Sequence, residues 1–162
     1  MKLYTLIFAA CAITIAFTAC KSSKSATAAN PGETQQAKLE ANKKLVAEFY
    51  QSLFGDKDST AIDKYAADNI KEHNPSLQDG KEWLKMSLRP FLENPNIAKT
   101  KIDIARIAAE GDMVWLLAKD VAPNGEVFAR VNIYKVENGK ITEALKVSEQ
   151  VPARSENTNT MF

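Results

Sequence analysis

The chain contains very little cysteine and histidine. Of its 162 residues two are cysteine, Cys11 and Cys20, and one is histidine, His73. Both cysteines lie within the first twenty residues, so the rest of the chain has no thiol with which to form a disulfide. We therefore predict that packing alone stabilises the folded part.

An excess of charge of either sign is also missing. The 21 basic and 20 acidic residues give a formal net charge of +1. Nucleic-acid binding normally needs a concentrated basic surface, and this composition gives no support for it. It indicates instead a soluble globular domain.

Long apolar runs are rare, and the one that exists lies at the N-terminus. Lys2 precedes an almost unbroken apolar stretch, Leu3 to Phe17, and Thr18-Ala19 leads into Cys20. This pattern is typical of a bacterial lipoprotein signal peptide, residues 1–19, with Cys20 as the lipidated residue that anchors the chain to a membrane of the cell envelope. A cleaved signal with a free cysteine and a short uncleaved anchor are the alternatives. Whether the lipid lies in the inner (periplasmic face) or the outer membrane is left open.

Residues 20–36 are predicted to form a flexible tether. From Lys21 to Gln36 the chain is rich in Ser, Ala, Thr, Lys and Gln and poor in large apolar residues, so it cannot build a core of its own. The remaining residues, 37–162, have the right length for one domain with one core and a loose C-terminal tail.

The first part of this domain is predicted to be helical. Val46, Phe49, Tyr50 and Leu53 recur at helical spacing, and Gly55 is placed to end the helix. A second, short helix is expected from about residue 59.

A third helix is predicted to start at Asp79. Its carboxylate is expected to cap free backbone N–H groups while Glu82 reaches back in a capping box. Pro90 is expected to bend this helix or to end it early.

The second part is predicted to be a sheet, because the apolar period changes to two and β-branched and aromatic residues take over. Asn138-Gly139 favours a two-residue hairpin turn, since both residues tolerate positive φ. Short connections imply an antiparallel meander, and helices followed by a meander imply an α+β domain with one sheet face covered by helices. The predicted strands are Ile102–Ala109, Met113–Val121, Glu126–Val136 and Ile141–Val151.

Several short segments, in this order and at this spacing, carry a resemblance to a known family. They are Leu45–Tyr50, His73-Asn74-Pro75, Asp79-Gly80-Lys81, Ala109–Asp112 and Val136–Glu143. On these segments, residues from about 42 to 162 resemble the SnoaL-like polyketide cyclase family of the nuclear transport factor 2-like superfamily. The resemblance implies a cone-shaped α+β fold in which N-terminal helices pack on a curved antiparallel sheet around an apolar pocket. It also implies a homodimer formed through the outer sheet face.

The resemblance further implies acid–base chemistry on a small organic molecule, such as aldol-type ring closure, without a metal or an organic cofactor. Similar proteins carry His-Trp-Asp where this chain has Ala144-Leu145-Lys146, and often aspartate where it has Asn132. His73, which the family places near the pocket mouth, is the remaining candidate catalytic residue. Its alternative role is to stabilise, together with Asn74, the turn before Pro75.

Further candidate ligand contacts lie on the predicted strands. Period-two counting places Arg130 and Asn132 on one face of the third strand, which is either the pocket or an outer surface that is polar or forms a dimer contact. The outer surface is favoured for Arg130, and Asn132 is kept as a ligand contact. Asn74 is a further candidate outside the strands, because the resemblance implies that the His-Asn-Pro segment lies near the pocket mouth.

The last strand carries two charged candidates. Glu143 interrupts the apolar set that begins with Ile141, and is either a base with a raised pKa or, as favoured, a strand-end carboxylate in water. Counting places Lys146 on the opposite face, where it is either an amine able to form a Schiff base or, as favoured, an exposed side chain. Trp83 and Trp115 either wall the pocket or belong to the core.

Three functions fit these observations. The favoured one is a membrane-anchored domain that binds a small apolar molecule without turnover; the others are a cofactor-free cyclase or isomerase that uses His73, and a structural interaction module. An open cavity holding His73 and an ionisable partner would favour the enzyme. An open cavity without such a pair would favour the binding function, and a cavity filled by the protein's own side chains would favour the structural interaction module.

Overall fold

The computed structural model of the protein describes residues 31–122 and 124–162. The predicted signal peptide, Cys20 and most of the predicted tether lie outside these residues. The helices are α1 (Pro31–Tyr50), a π-helical segment (Gln51–Gly55), α2 (Thr60–Tyr65) and α3 (Lys81–Leu92). The strands are β1 (Ala66–Glu72), β2 (Asp103–Glu110), β3 (Met113–Val121), β4 (Val127–Glu137) and β5 (Lys140–Gln150).

Helix α1 begins earlier than predicted. Residues 31–36, which the composition assigned to the tether, are already helical. Proline is favoured in a first helical turn, where its missing N–H would have no partner in any case. The exposed turns that follow are held by local pairs, such as Gln36 Nε2 donating to Glu40 Oε1 at 2.8 Å. The second half of α1 carries Val46 and Phe49 into the core, as predicted.

The end of this helix is tied to the start of β2. Gly55 closes the π-helical segment, as predicted for a helix end, and a Cβ added there would lie 2.6 Å from the carbonyl oxygen of Thr100. Thr100 N donates to Gly55 O at 2.9 Å, and Ile102 N donates to the side-chain oxygen of Gln51 at 2.9 Å. Glycine is therefore required because the two backbones approach closely, and not because of an unusual φ.

Strand β1 was not predicted. Its sequence is Ala-Ala-Asp-Asn-Ile-Lys-Glu, which is poor in β-branched and aromatic residues, so neither propensity nor alternation reveals it. It pairs in parallel with β5, and the strand order across the sheet is β1-β5-β4-β3-β2. The antiparallel meander predicted for the other four strands is confirmed, but the whole sheet is mixed.

Helix α3 does not begin as predicted. Gly80 occupies the cap position with φ at 101°, and no side chain caps the helix. Asp79 instead accepts a hydrogen bond from Glu72 N at 2.8 Å, so its carboxylate holds the loop against the end of β1. The helix runs through Pro90 and ends two residues later, at Leu92.

The core lies between the helices and one face of the sheet, which we call the inner face. The cone-shaped α+β architecture implied by the resemblance is thus the fold observed. The hairpin turn between β4 and β5 has positive φ at both Asn138 (51°) and Gly139 (72°), as predicted. The largest fully buried side chains are Leu53, Ile62, Ile70, Leu116, Ile141, Val46, Val114 and Val136.

Candidate functional site

An open cavity of about 90 Å³ lies between the helices and the inner face of the sheet. Most of its wall is apolar, and the α1 end, the π-helical segment and α3 supply one side while β1, β4 and β5 supply the other. The apolar lining residues are Phe49, Leu53, Phe54, Ile70, Leu77, Leu84, Leu88, Ala144 and Leu145. The polar lining residues are Glu72, Asn74, Asn132, Tyr134 and Lys146.

A β-bulge in β5 decides which of its residues face this cavity. Val136 pairs with Ile141 while the preceding Lys135 pairs with Glu143, so β5 has one extra residue, Thr142. Period-two counting across that position is wrong, because the bulge shifts the alternation by one. Ile141 and Lys146, predicted on opposite faces, are both on the inner face.

Glu143 therefore faces outward, and its predicted place on the face of Ile141 is wrong. Its pKa is lowered and not raised, first by a hydrogen bond from His73 and then by the charge of Lys135. A lowered pKa weakens the carboxylate as a base at neutral pH. The structure thus contradicts the reading of Glu143 as a base with a raised pKa.

His73 lies outside the cavity. Its side chain is about half exposed, and its Nε2 is 3.1 Å from Oε2 of Glu143. Its backbone N donates to the carbonyl oxygen of Ala144 at 2.9 Å, which extends the β1–β5 pairing by one residue. His73 and its ionisable partner thus meet on the outer side of the sheet, and neither is among the lining residues.

Asn132 is one of the predicted ligand contacts that the structure places in the cavity wall. It is 4% exposed, and its Nδ2 donates to the hydroxyl oxygen of Tyr50 at 3.2 Å. Burial raises the pKa of Tyr50, and the hydrogen bond from Asn132 opposes this in part. Burial raises the pKa of Tyr134 more strongly than that of Tyr50. Both hydroxyl groups therefore remain protonated at neutral pH and can donate a hydrogen bond.

Arg130 is on the same inner face as Asn132, and the outer surface favoured for it from the sequence is wrong. Its Nη2 is 2.7 Å from Oδ2 of Asp120, and its guanidinium lies over the ring of Phe128. Lys146 pairs with Asn132 across the strands and lines the cavity, although the residue as a whole is exposed. Partial burial lowers the pKa of Lys146, and the positive charge of Arg130 lowers it further.

Glu72 is a site residue that sequence reasoning missed. It ends β1, two residues after buried Ile70, and its carboxylate lines the cavity while accepting a hydrogen bond from Asn74 N at 3.0 Å. Burial raises the pKa of Glu72, whereas the hydrogen bond from Asn74 N and the charges of Lys146 and His73 lower it; burial is the largest of these effects. If β1 had been recognised as a strand, period-two alternation would have placed Glu72 on the same face as buried Ile70.

The remaining predicted contacts lie in different places. Asn74 lines the cavity, and its Oδ1 also accepts a hydrogen bond from Ser76 N at 3.0 Å, as expected for a turn residue. Trp83 is 45% exposed on α3, and Trp115 pairs with Ile133 on the outer sheet face. Neither tryptophan lines the cavity.

No three Asp, Glu, His or Cys side chains within residues 31–122 and 124–162 are grouped so that they could hold a metal ion. In the same part of the chain, no helix has both the length and the apolar character needed to cross a membrane.

Solved structures with a similar fold have low sequence identity to this chain. A nuclear transport factor 2-like protein of unknown function from Mesorhizobium loti is 18% identical with a TM-score of 0.57, over 69% of this chain and 93% of that one. A putative polyketide cyclase from Acidithiobacillus ferrooxidans is 14% identical with a TM-score of 0.54, over 67% and 88%. A putative ketosteroid isomerase from Kribbella flavida is 12% identical with a TM-score of 0.56, over 74% and 85%.

These likenesses establish the fold. No curated protein sequence matches the chain. The sequence profile of the SnoaL-like domain matches residues 46–144, which is more than half of the chain and includes every cavity-lining residue except Leu145 and Lys146. The chain therefore belongs to the SnoaL-like domain family and has its nuclear transport factor 2-like fold.

Proposed function

We propose that this domain binds a small, mainly apolar organic molecule in the cavity. The observation that carries the proposal is an open cavity with an apolar wall and a few converging polar groups, which is the usual character of a small-molecule site. The cavity is smaller than the roughly 150 Å³ engineered cavity that takes up benzene. It therefore accepts a molecule of a few heavy atoms, or one end of a larger molecule.

Ala144→Phe is expected to abolish this binding, because the added ring would occupy the cavity from β5. Binding of a panel of small ketones, amides and carboxylic acids is measured by isothermal titration calorimetry on the purified full chain. Overpacking is expected to cost about 1–3 kcal/mol of stability, so folding is checked by circular dichroism.

The matched control is Val147→Phe, which adds the same ring to an exposed residue on the outer side of β5. It should leave binding unchanged. If Ala144→Phe binds the panel as the unsubstituted chain does, the cavity is not the binding site.

A second candidate function is cofactor-free proton transfer with Glu72 as the base. One observation favours it: burial raises the pKa of a carboxylate that lines the cavity, which makes it a stronger base at neutral pH than an exposed glutamate. Tyr134 and Asn132 lie in the same wall as potential donors to a developing oxyanion. The names of two similar structures, a putative polyketide cyclase and a putative ketosteroid isomerase, are compatible with this chemistry.

We also propose that Cys20 carries a lipid that anchors the domain to a membrane of the cell envelope. The support is the apolar run that ends in Thr18-Ala19 directly before the cysteine. In bacteria grown with an alkyne-labelled fatty acid, the chain should become labelled and sediment with membranes. Cys20→Ser should lose both properties, and Cys11→Ser should keep both; a labelled Cys20→Ser chain would refute the assignment.

A further inference from the structure

Two cationic residues are diagonal neighbours on the inner face of β4 and β5, next to the cavity. Lys146 on β5 pairs with Asn132 on β4, and Arg130 precedes Asn132 by two residues on the same face. Arg130 has an anionic partner, Asp120, at 2.7 Å. In the described part of the chain, no carboxylate lies within ion-pair distance of Lys146.

The positive charge at this place is incompletely neutralised. Nε of Arg130 is shielded from solvent and has no hydrogen-bond partner in the described part of the chain. Burial and the neighbouring Arg130 both lower the pKa of Lys146, which means that its charged form lacks full compensation. Glu72 and Asp120 oppose this effect, but each carboxylate already accepts another contact, from Asn74 N and from Arg130.

We propose that the molecule bound in the cavity is an organic acid whose carboxylate binds to Lys146. This inference rests on the proposed binding function and specifies its ligand class. The apolar part of the acid lies against the apolar wall, and the carboxylate lies at the exposed side, where Lys146 forms a charge-assisted hydrogen bond. Arg130 strengthens the interaction through its field without leaving Asp120, while the carboxylate of Glu72 opposes it.

The test compares hexanoate with hexanamide, which have the same apolar chain but differ in charge. Their affinities for the purified full chain are measured by isothermal titration calorimetry. The unsubstituted chain should bind hexanoate about five- to tenfold more tightly, the gain expected when a hydrogen bond involves an ionised group. Lys146→Gln should remove this preference by weakening hexanoate binding to the level of hexanamide binding.

Lys71→Gln is the matched control, because Lys71 is an exposed lysine of β1 that pairs with outward-facing Glu143. It should retain the preference for hexanoate. Equal affinity for both ligands in the unsubstituted chain, or a preference that survives Lys146→Gln, would overturn the carboxylate assignment while leaving cavity binding intact. If neither ligand binds and no member of the wider panel binds, the proposed function fails and this inference fails with it.

Discussion

Phe49→Ala is expected to lower the free energy of unfolding by about 3–5 kcal/mol, the range for removing a buried phenylalanine side chain. Phe49 is 2% exposed, and its ring contacts the edges or faces of two other rings, with centroid distances of 6.0 Å to Tyr65 and 5.7 Å to Tyr134. The substitution removes both aromatic contacts and leaves a void beside the cavity that Phe49 lines. The loss is measured by urea unfolding followed by circular dichroism.

Trp83→Ala is the control, because it removes a larger aromatic ring that is 45% exposed on α3. It should change stability by only about 0.5 kcal/mol. Since domains of this kind are stable by roughly 5–15 kcal/mol in total, Phe49→Leu provides a milder variant that still folds. A loss below about 1 kcal/mol for Phe49→Ala would show that this ring does not join α1 to the sheet.

Glu72→Gln is expected to slow proton transfer in the cavity by a factor of about 100 or more, the usual contribution of a positioned base. The probe is exchange of the α-hydrogens of small ketones for deuterium in D₂O, followed by NMR. His73→Ala is the matched comparison, because His73 contacts Glu143 outside the cavity. It should leave the rate unchanged; a rate lost in His73→Ala and kept in Glu72→Gln would return the catalytic role to the histidine.

The pH dependence of Glu72 has a defined sign. Its pKa is raised in the folded protein, so the exchange rate should rise with pH through a midpoint above the ordinary glutamate value. For the same reason the folded state holds more protons than the unfolded state between the two pKa values, and stability falls as pH rises through that window. Glu72→Gln should remove this fall, which pH-dependent urea unfolding can detect.

The sequence by itself determined those features that depend only on residues close together along the chain. The apolar spacing of Val46, Phe49 and Leu53 predicted three buried side chains, and all three are buried, the first two in α1 and Leu53 in the π-helical segment that continues it. The Asn138-Gly139 turn follows from the positive φ that these two residue types tolerate. The four-stranded meander follows from alternation and short connections.

Only the tertiary structure decided the site, because each of its parts depends on contacts between distant segments. Strand β1 exists through its pairing with β5, about 70 residues later, and this pairing turns Glu72 into the cavity and His73 out of it. The extra residue Thr142 reverses the alternation of β5 and brings Lys146 to the inner face. The local periodicity of a sequence does not reveal a β-bulge or a parallel strand partner, because both are stabilised by contacts with the rest of the sheet.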